Sequence, residues 1–367
     1  MGWLCRRGVD EEAAGVAASR RKDGEMTGSG AGSRNGYVDL VFEGGGVKGI
    51  ALVGAFSVLE ERGYEPQNMA GASAGAIVAA LISAGYDAEE LKEVVANLDY
   101  DRFKDQAIED RLPMGGTLSI LKDLGIYEGE AFEEWMRGLL EARDVRTFRD
   151  LVRREDVDLK YRYKLQVIAS DVTERRLLVL PRDAPSLGIE RPDDLDVARA
   201  VRMSMSIPIF FEPVRFTNRR TNQEHLIVDG GMLSNFPVWL FDADEPQWPT
   251  IGMKLTRKPE APIGGELSEP VPRGGVTQVI GYLRSLVDTM MAAHDRLYVE
   301  QHNFDERTIG IDTLGVGTTE FDLSPDRALE LFDSGRAAAG EFLSRAAVAD
   351  PIRSRAVSRS AQGPGPT

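Results

Sequence analysis

Cysteine is almost absent: the 367 residues hold one, Cys5. A disulfide framework within the chain is therefore excluded, stability must come from a packed core, and a reducing compartment is compatible. Histidine is scarce as well, with only His225, His294 and His302. No Cys/His cluster has zinc spacing and no EF-hand pattern occurs, so the sequence calls for no metal and no cofactor. No apolar run reaches the roughly 18 residues that a membrane-spanning helix needs. Arg6 and Arg7 are followed by no apolar stretch, so no secretory signal is expected, and Arg6 stands where a myristoylation motif wants Ser or Thr. Basic charge is also short: 44 Lys and Arg face 59 Asp and Glu, a net charge of −15. Such a field repels nucleic-acid phosphates and anionic bilayers, which excludes nucleic acid as a partner. These readings point to a cytoplasmic protein with room for peripheral contact at a membrane. Arg353, Arg355 and Arg359 offer a small basic segment for it.

What is present reads as one domain with loose ends. Residues 1–36 are small, charged and glycine-rich, and residues 354–367 are similar; both are expected to be disordered. Between them, over 37–353, strand-like and helix-like stretches alternate. Tyr37–Phe42 is a β-rich run, Val47–Arg62 has helical spacing, and Ala74–Ala84 reads as a buried helix. Further strands are expected at Lys164–Ala169, Leu177–Leu180, Glu224–Val228, Ile251–Leu255 and Val316–Leu323. The proline-rich stretch 254–275 is expected to be a loop, 277–302 a helix, and Pro325 to about Ala347 a closing helix. Alternation of this kind predicts an α/β fold, a mainly parallel central sheet with helices on both faces.

Three short motifs carry chemistry. Glu43-Gly44-Gly45-Gly46-Val47-Lys48-Gly49 joins a strand to a helix. Its uncovered amides and the helix N-terminus suit a phosphate or a developing oxyanion. A dinucleotide site would want an acidic residue ending the next strand, and a Walker loop wants Ser or Thr after Lys48; neither is there. The second motif, Gly71-Ala72-Ser73-Ala74-Gly75, is a nucleophile elbow, in which small flanking residues permit a strained strand-to-helix turn that projects the serine hydroxyl. The third, Asp229-Gly230-Gly231, sets a carboxylate at a strand end where backbone can approach closely. Alone it is an ordinary turn.

In this order the three motifs resemble the patatin-like phospholipase family, over about residues 37–245. The resemblance implies a three-layer α/β/α sandwich and a catalytic dyad without histidine, with Ser73 as nucleophile and Asp229 as general base. It implies that the backbone amides of Gly44, Gly45 and Gly46 form the oxyanion hole, with Gly49, Gly71, Gly75, Gly230 and Gly231 supporting the motifs. The activity implied is lipid acyl hydrolysis through an acyl-enzyme, on a lipid ester at a membrane or micelle interface. An acyltransferase using the same dyad and a silent lipid-binding scaffold are the alternatives. Glu43 stands where the family often has Asp, and Lys48 where Arg is common. A full Ser-Asp-His triad would need His294 or His302, both in an expected helix. His225, four residues before Asp229, reads better as a structural histidine. The apolar residues from Ser204 to Phe211 and from Met232 to Pro237 read equally well as acyl-chain wall or as core.

Overall fold

The computed structural model describes residues 36–96, 129–153, 159–218, 220–243, 248–256, 307–318 and 323–345, with 246, 289 and 320 besides. The expected disordered ends except Gly36, the helix at 277–302 except Thr289 (so both His294 and His302), and most of the loop at 254–275 lie outside them. Eight strands form one mixed sheet: β1 (Gly36–Phe42), β2 (Tyr64–Ala72), β3 (Leu165–Asp171), β4 (Arg176–Leu180), β5 (Val214–Asn218), β6 (Gln223–Asp229), β7 (Thr250–Thr256) and β8 (Thr308–Asp312). They are ordered β5-β6-β3-β2-β1-β7-β8, with β4 paired to β3. From β3 through β8 the pairs are parallel, while β4, β5 and β6 join antiparallel.

Side-chain alternation splits the central strands between two cores. Val38, Leu40 and Phe42 face one side and pack with helices α1 (Gly49–Glu61) and α2 (Ala74–Ser83). The same core takes in α3 (Ala88–Ala96), α4 (Glu130–Glu141), α5 (Val197–Ser204) and α6 (Pro325–Ser344). Val41, Ala70, Ala72 and Ile168 face the other side, under Phe236, Val238, Leu240 and Phe241. Burial on both faces is why these strands read as near-continuous apolar runs. The architecture is the expected three-layer α/β/α sandwich.

The differences from the expectation lie at the C-terminal side. Among the described residues the last strand is Thr308–Asp312, paired with β7, and Val316–Thr318, the opening of the expected strand Val316–Leu323, is not strand. Leu314 and Gly315 take positive φ (52° and 80°) and turn the chain, so Val316 is buried in a loop. The expected strand Ile251–Leu255 is present as β7 and runs on to Thr256, so Lys254–Thr256, also counted in the expected loop, is strand.

Candidate active site

The topology brings two strand ends together on one edge of β3. On that edge, β2 occupies Leu165–Ile168, with Ala72 opposite Ile168. Just beyond, β6 runs in the opposite direction and ends with Asp229 opposite Ala169. The residue after Ala72 is Ser73, so Ser73 and Asp229 meet where the two strands converge, although 156 positions separate them.

Ser73 sits at the turn from β2 into α2 with φ 52° and ψ −128°, a conformation that an L-residue holds only when its surroundings enforce it. The enforcement is visible. A Cβ on Gly71 would lie 2.4 Å from the carbonyl of Gly75, and one on Gly75 would lie 2.4 Å from Phe42 O. Backbone crosses backbone there, and only hydrogen fits. Ser73 N–H donates to Ser204 Oγ at 2.9 Å, and Ser73 O accepts from Ala76 N–H at 2.9 Å to start α2. Both serines are fully buried.

Asp229 is also fully buried. Its Oδ1 accepts from Gly231 N–H at 2.7 Å, while Oδ2 has no hydrogen bond of ordinary geometry. Burial pushes the carboxyl up to about 7; the Gly231 amide and the Ser73 hydroxyl beside it restrain the rise. The Ser73 hydroxyl makes its own hydrogen bond to Met205 Sδ at 3.7 Å. Asp229 N–H donates to Ser206 O at 2.9 Å, so the chain leaving α5 holds both residues. Arg202 secures that segment in turn. Its buried guanidinium donates to Gly129 O at 3.1 Å, to Glu212 O at 2.9 Å and to Ser206 Oγ, and lies over the Phe211 ring.

The glycine loop lies against Ser73: the point where a Cβ on Gly44 would sit is 3.0 Å from Ser73 Cβ. Gly44 N–H is engaged, donating to Asn235 O at 3.0 Å. Gly46 has φ +57°, and a Cβ there would lie 2.0 Å from Thr318 O. No protein acceptor takes the Gly45 or Gly46 amide among the described residues. Both departures from the family pattern have structural partners: Glu43 Oε2 accepts the Leu255 N–H, and Lys48 Nζ reaches Thr318 Oγ1 at 3.1 Å. Gly230 packs so tightly that a Cβ would lie 2.3 Å from Ile168 O, whereas Gly49 has ordinary room beside Ala74.

His225 does not join Asp229. Its Nδ1 lies 2.8 Å from Asp171 Oδ2, a buried pair near the far end of β6. Four residues of strand, about 13 Å at ~3.3 Å each, separate it from Asp229. Of the apolar stretch read as wall or core, Met205 belongs to the main core, whereas Ile207, Ile209, Phe210 and Met232 form a small separate cluster. Outside the motifs stand Ser204, Met205, Arg202, Asn235, Leu255 and Thr318; of these, Ser204, Met205 and Asn235 read in the sequence only as parts of a wall or core, and Leu255 only as strand. The first four lie on short-range signals too generic to read, and the last two come from strand and loop far downstream. Among the described residues no group of three His, Cys, Asp or Glu side chains could hold a metal ion, and no helix is long and apolar enough to cross a membrane.

A family model described as patatin-like phospholipase matches residues 40–242. YqhO of Bacillus subtilis (strain 168) is 38% identical over 308 residues, which cover 84% of this chain and 98% of YqhO. A protein of invertebrate iridescent virus 6 named as a probable lipid hydrolase, 463L, is 25% identical over 202 residues, 55% of this chain and 62% of its own. Among solved structures, VipD from Legionella pneumophila aligns with a TM-score of 0.46 at 18% identity, covering 84% of this chain and 67% of VipD. With more than half its length matched by the family model and YqhO aligned nearly end to end, the chain belongs to the patatin-like phospholipase family, a membership that supports lipid hydrolase activity.

Proposed function

We propose that the protein hydrolyses acyl esters of lipids through an acyl-enzyme on Ser73, with Asp229 as the only base. The observation that carries this reading is a fully buried carboxyl raised to about 7, set beside a serine in a strained elbow. An ordinary aspartate is too weak a base to take a serine proton near neutrality, and one raised to about 7 is well matched to the task. In acylation, Ser73 Oγ attacks the ester carbon as its proton passes to Asp229. The carbonyl oxygen gains negative charge and is met by the free amides of Gly45 and Gly46. Collapse of the tetrahedral adduct expels the alcohol, which takes the proton from Asp229. Water then attacks the acyl-enzyme, giving its proton to Asp229. The fatty acid departs as Ser73 Oγ recovers that proton. Gly44 contributes to this reading as the anchored end of the loop, since its amide is already bonded to Asn235 O.

The cluster of Ile207, Ile209, Phe210 and Met232 supports an acyl-chain wall, because it stands apart from the main core and adjoins Ser206 and Gly231. The reading also places the substrate at a membrane or micelle interface, with the protein cytoplasmic and peripheral there. A fluorophosphonate probe tests the chemistry: wild type should label at Ser73 and release fatty acid from a mixed lipid extract. Ser73→Ala should do neither, with hydrolysis down about a thousandfold or more. Absence of labelling on a folded wild type would favour a silent lipid-binding scaffold.

A further inference from the structure

Three consecutive glycines make a loop with unusual backbone freedom, yet an oxyanion site works only if its donors are already aimed. Something outside the loop must fix them. Asn235, six residues after Asp229 and nine-tenths buried, grips Gly44 from both sides. Its backbone oxygen accepts the Gly44 N–H at 3.0 Å, and its side-chain Nδ2 donates to Gly44 O at 3.0 Å. The two bonds pin the two peptide planes that flank the Gly44 Cα.

The second bond has a direct consequence. In a planar trans peptide the carbonyl and the following N–H point in opposite directions. Holding Gly44 C=O on Asn235 Nδ2 therefore aims the Gly45 N–H the other way, and that amide is one of the two left free. The orientation of the side-chain amide is defined by this bond, since only its nitrogen can donate. Asn235 Oδ1 then lies against the loop: the point where a Cβ on Gly44 would sit is 2.2 Å from Oδ1 and 3.0 Å from Ser73 Cβ. The side chain thus fills the space between the loop and the nucleophile. Asn235 also belongs to the segment that begins at Asp229, because Ser234 N–H donates to Gly230 O at 2.9 Å. The base and the oxyanion loop share one frame.

We propose that Asn235 is a positioning residue for the oxyanion loop, holding the Gly44–Gly45 peptide so that the Gly45 N–H faces the charge developing on the substrate. This rests on the Ser73 acyl-enzyme reading. The test uses Asn235→Asp, which keeps the shape and replaces the donor with an oxygen facing Gly44 O, and Asn235→Ala, which removes both groups. Rates on a p-nitrophenyl ester are normalised to sites titrated with fluorophosphonate, so that misfolded molecules do not count. An alkyl trifluoromethyl ketone, which adds to serine as an oxyanion, supplies a transition-state mimic.

The expected result is a kcat per titrated site lowered about 10- to 100-fold with KM within about twofold. The ketone's inhibition constant should rise by the same factor as kcat/KM falls. A purely structural pin would lower melting temperature and the titrated fraction and leave both normalised readings alone. Normalised kcat within about twofold of wild type, or unchanged ketone affinity, in whichever variant folds would overturn the proposal. Should neither fold, the same readings on Asn235→Ser decide it, because a hydroxyl can still donate but cannot span the same distance. A wild type that neither titrates with fluorophosphonate nor cleaves the ester would instead overturn the acyl-enzyme reading beneath it.

Discussion

At the scale of single residues, the proposed base is a carboxyl that gains its basicity from burial. Among the described residues Asp229 has one amide donor and no cation beside it, so desolvation dominates and lifts it to about 7. A base must be deprotonated to act, so activity should be low when Asp229 holds its proton and rise as pH climbs through 7. The predicted kcat/KM profile on a soluble ester therefore has an acid limb with its inflection near 7 and a plateau above it. A profile flat from about pH 5 to about pH 8 would mean that no group of this kind limits the reaction. His225 illustrates what residue-level reading can reach. Strand alternation places it on the face of Asp229, but only the pairing of β6 with β3 reveals that its partner is Asp171.

At the scale of elements, the site is a junction of strand ends and the turns that follow them. Ser73 follows β2, Asp229 ends β6, the glycine loop follows β1, and the chain leaving α5 threads between the first two. Three of these four were legible because glycine patterns mark sharp turns after strands. The fourth was not, since Ser204 and Ser206 act through one hydroxyl and one carbonyl that no local pattern distinguishes. Closure by Leu255 and Thr318 was equally hidden, because it is a consequence of β7 and β8 extending the sheet beside β1. The helix packing behind the site shows the same economy of space. A Cβ on Gly54 would lie 2.0 Å from Phe332 O and one on Gly335 would lie 1.9 Å from Ala51 O, so α1 and α6 cross with backbones in contact. Gly335→Ala should force them apart and cost about 1–3 kcal/mol of stability in denaturant titration, whatever alanine adds to helix propensity. An unchanged midpoint would show that the helices can slide without loss.

At the scale of the whole molecule, burial of acids sets stability against activity. Asp39, in the middle of β1, accepts from Asn68 N–H at 3.1 Å and Asn68 Nδ2 at 2.7 Å, and its other oxygen has no partner. Burial lifts it to about 7 despite those bonds and the Arg153 charge. An acid raised above its ordinary value near 3.8 binds more protons folded than unfolded between those two values. Its contribution is fully present below about 4 and lost as pH rises towards 7. Asp39 and Asp229 act in the same direction, so the melting temperature should fall as pH rises from about 4 to about 7, the upper part of that range being where activity rises. Asp39→Asn should flatten that fall, and a slope equal to wild type would remove Asp39 from the balance. The single sheet also explains why the motif-bearing region ending near residue 245 is not a structural unit. Strands β7 and β8 and helix α6 extend the same sheet and close the same core. The motifs crowd into the first two-thirds of the chain; of the elements expected from the later residues, the strand at Ile251–Leu255 and the closing helix from Pro325 are both present in the structure.

If two side chains suffice for the chemistry, purified Asp229→Asn must lose its turnover. That substitution keeps the shape at the end of β6 and removes the base. On a p-nitrophenyl ester, kcat/KM should fall by about a thousandfold or more relative to wild type in a protein that still folds. Retention of more than about a tenth of wild-type activity would contradict the dyad and require another residue to take the Ser73 proton.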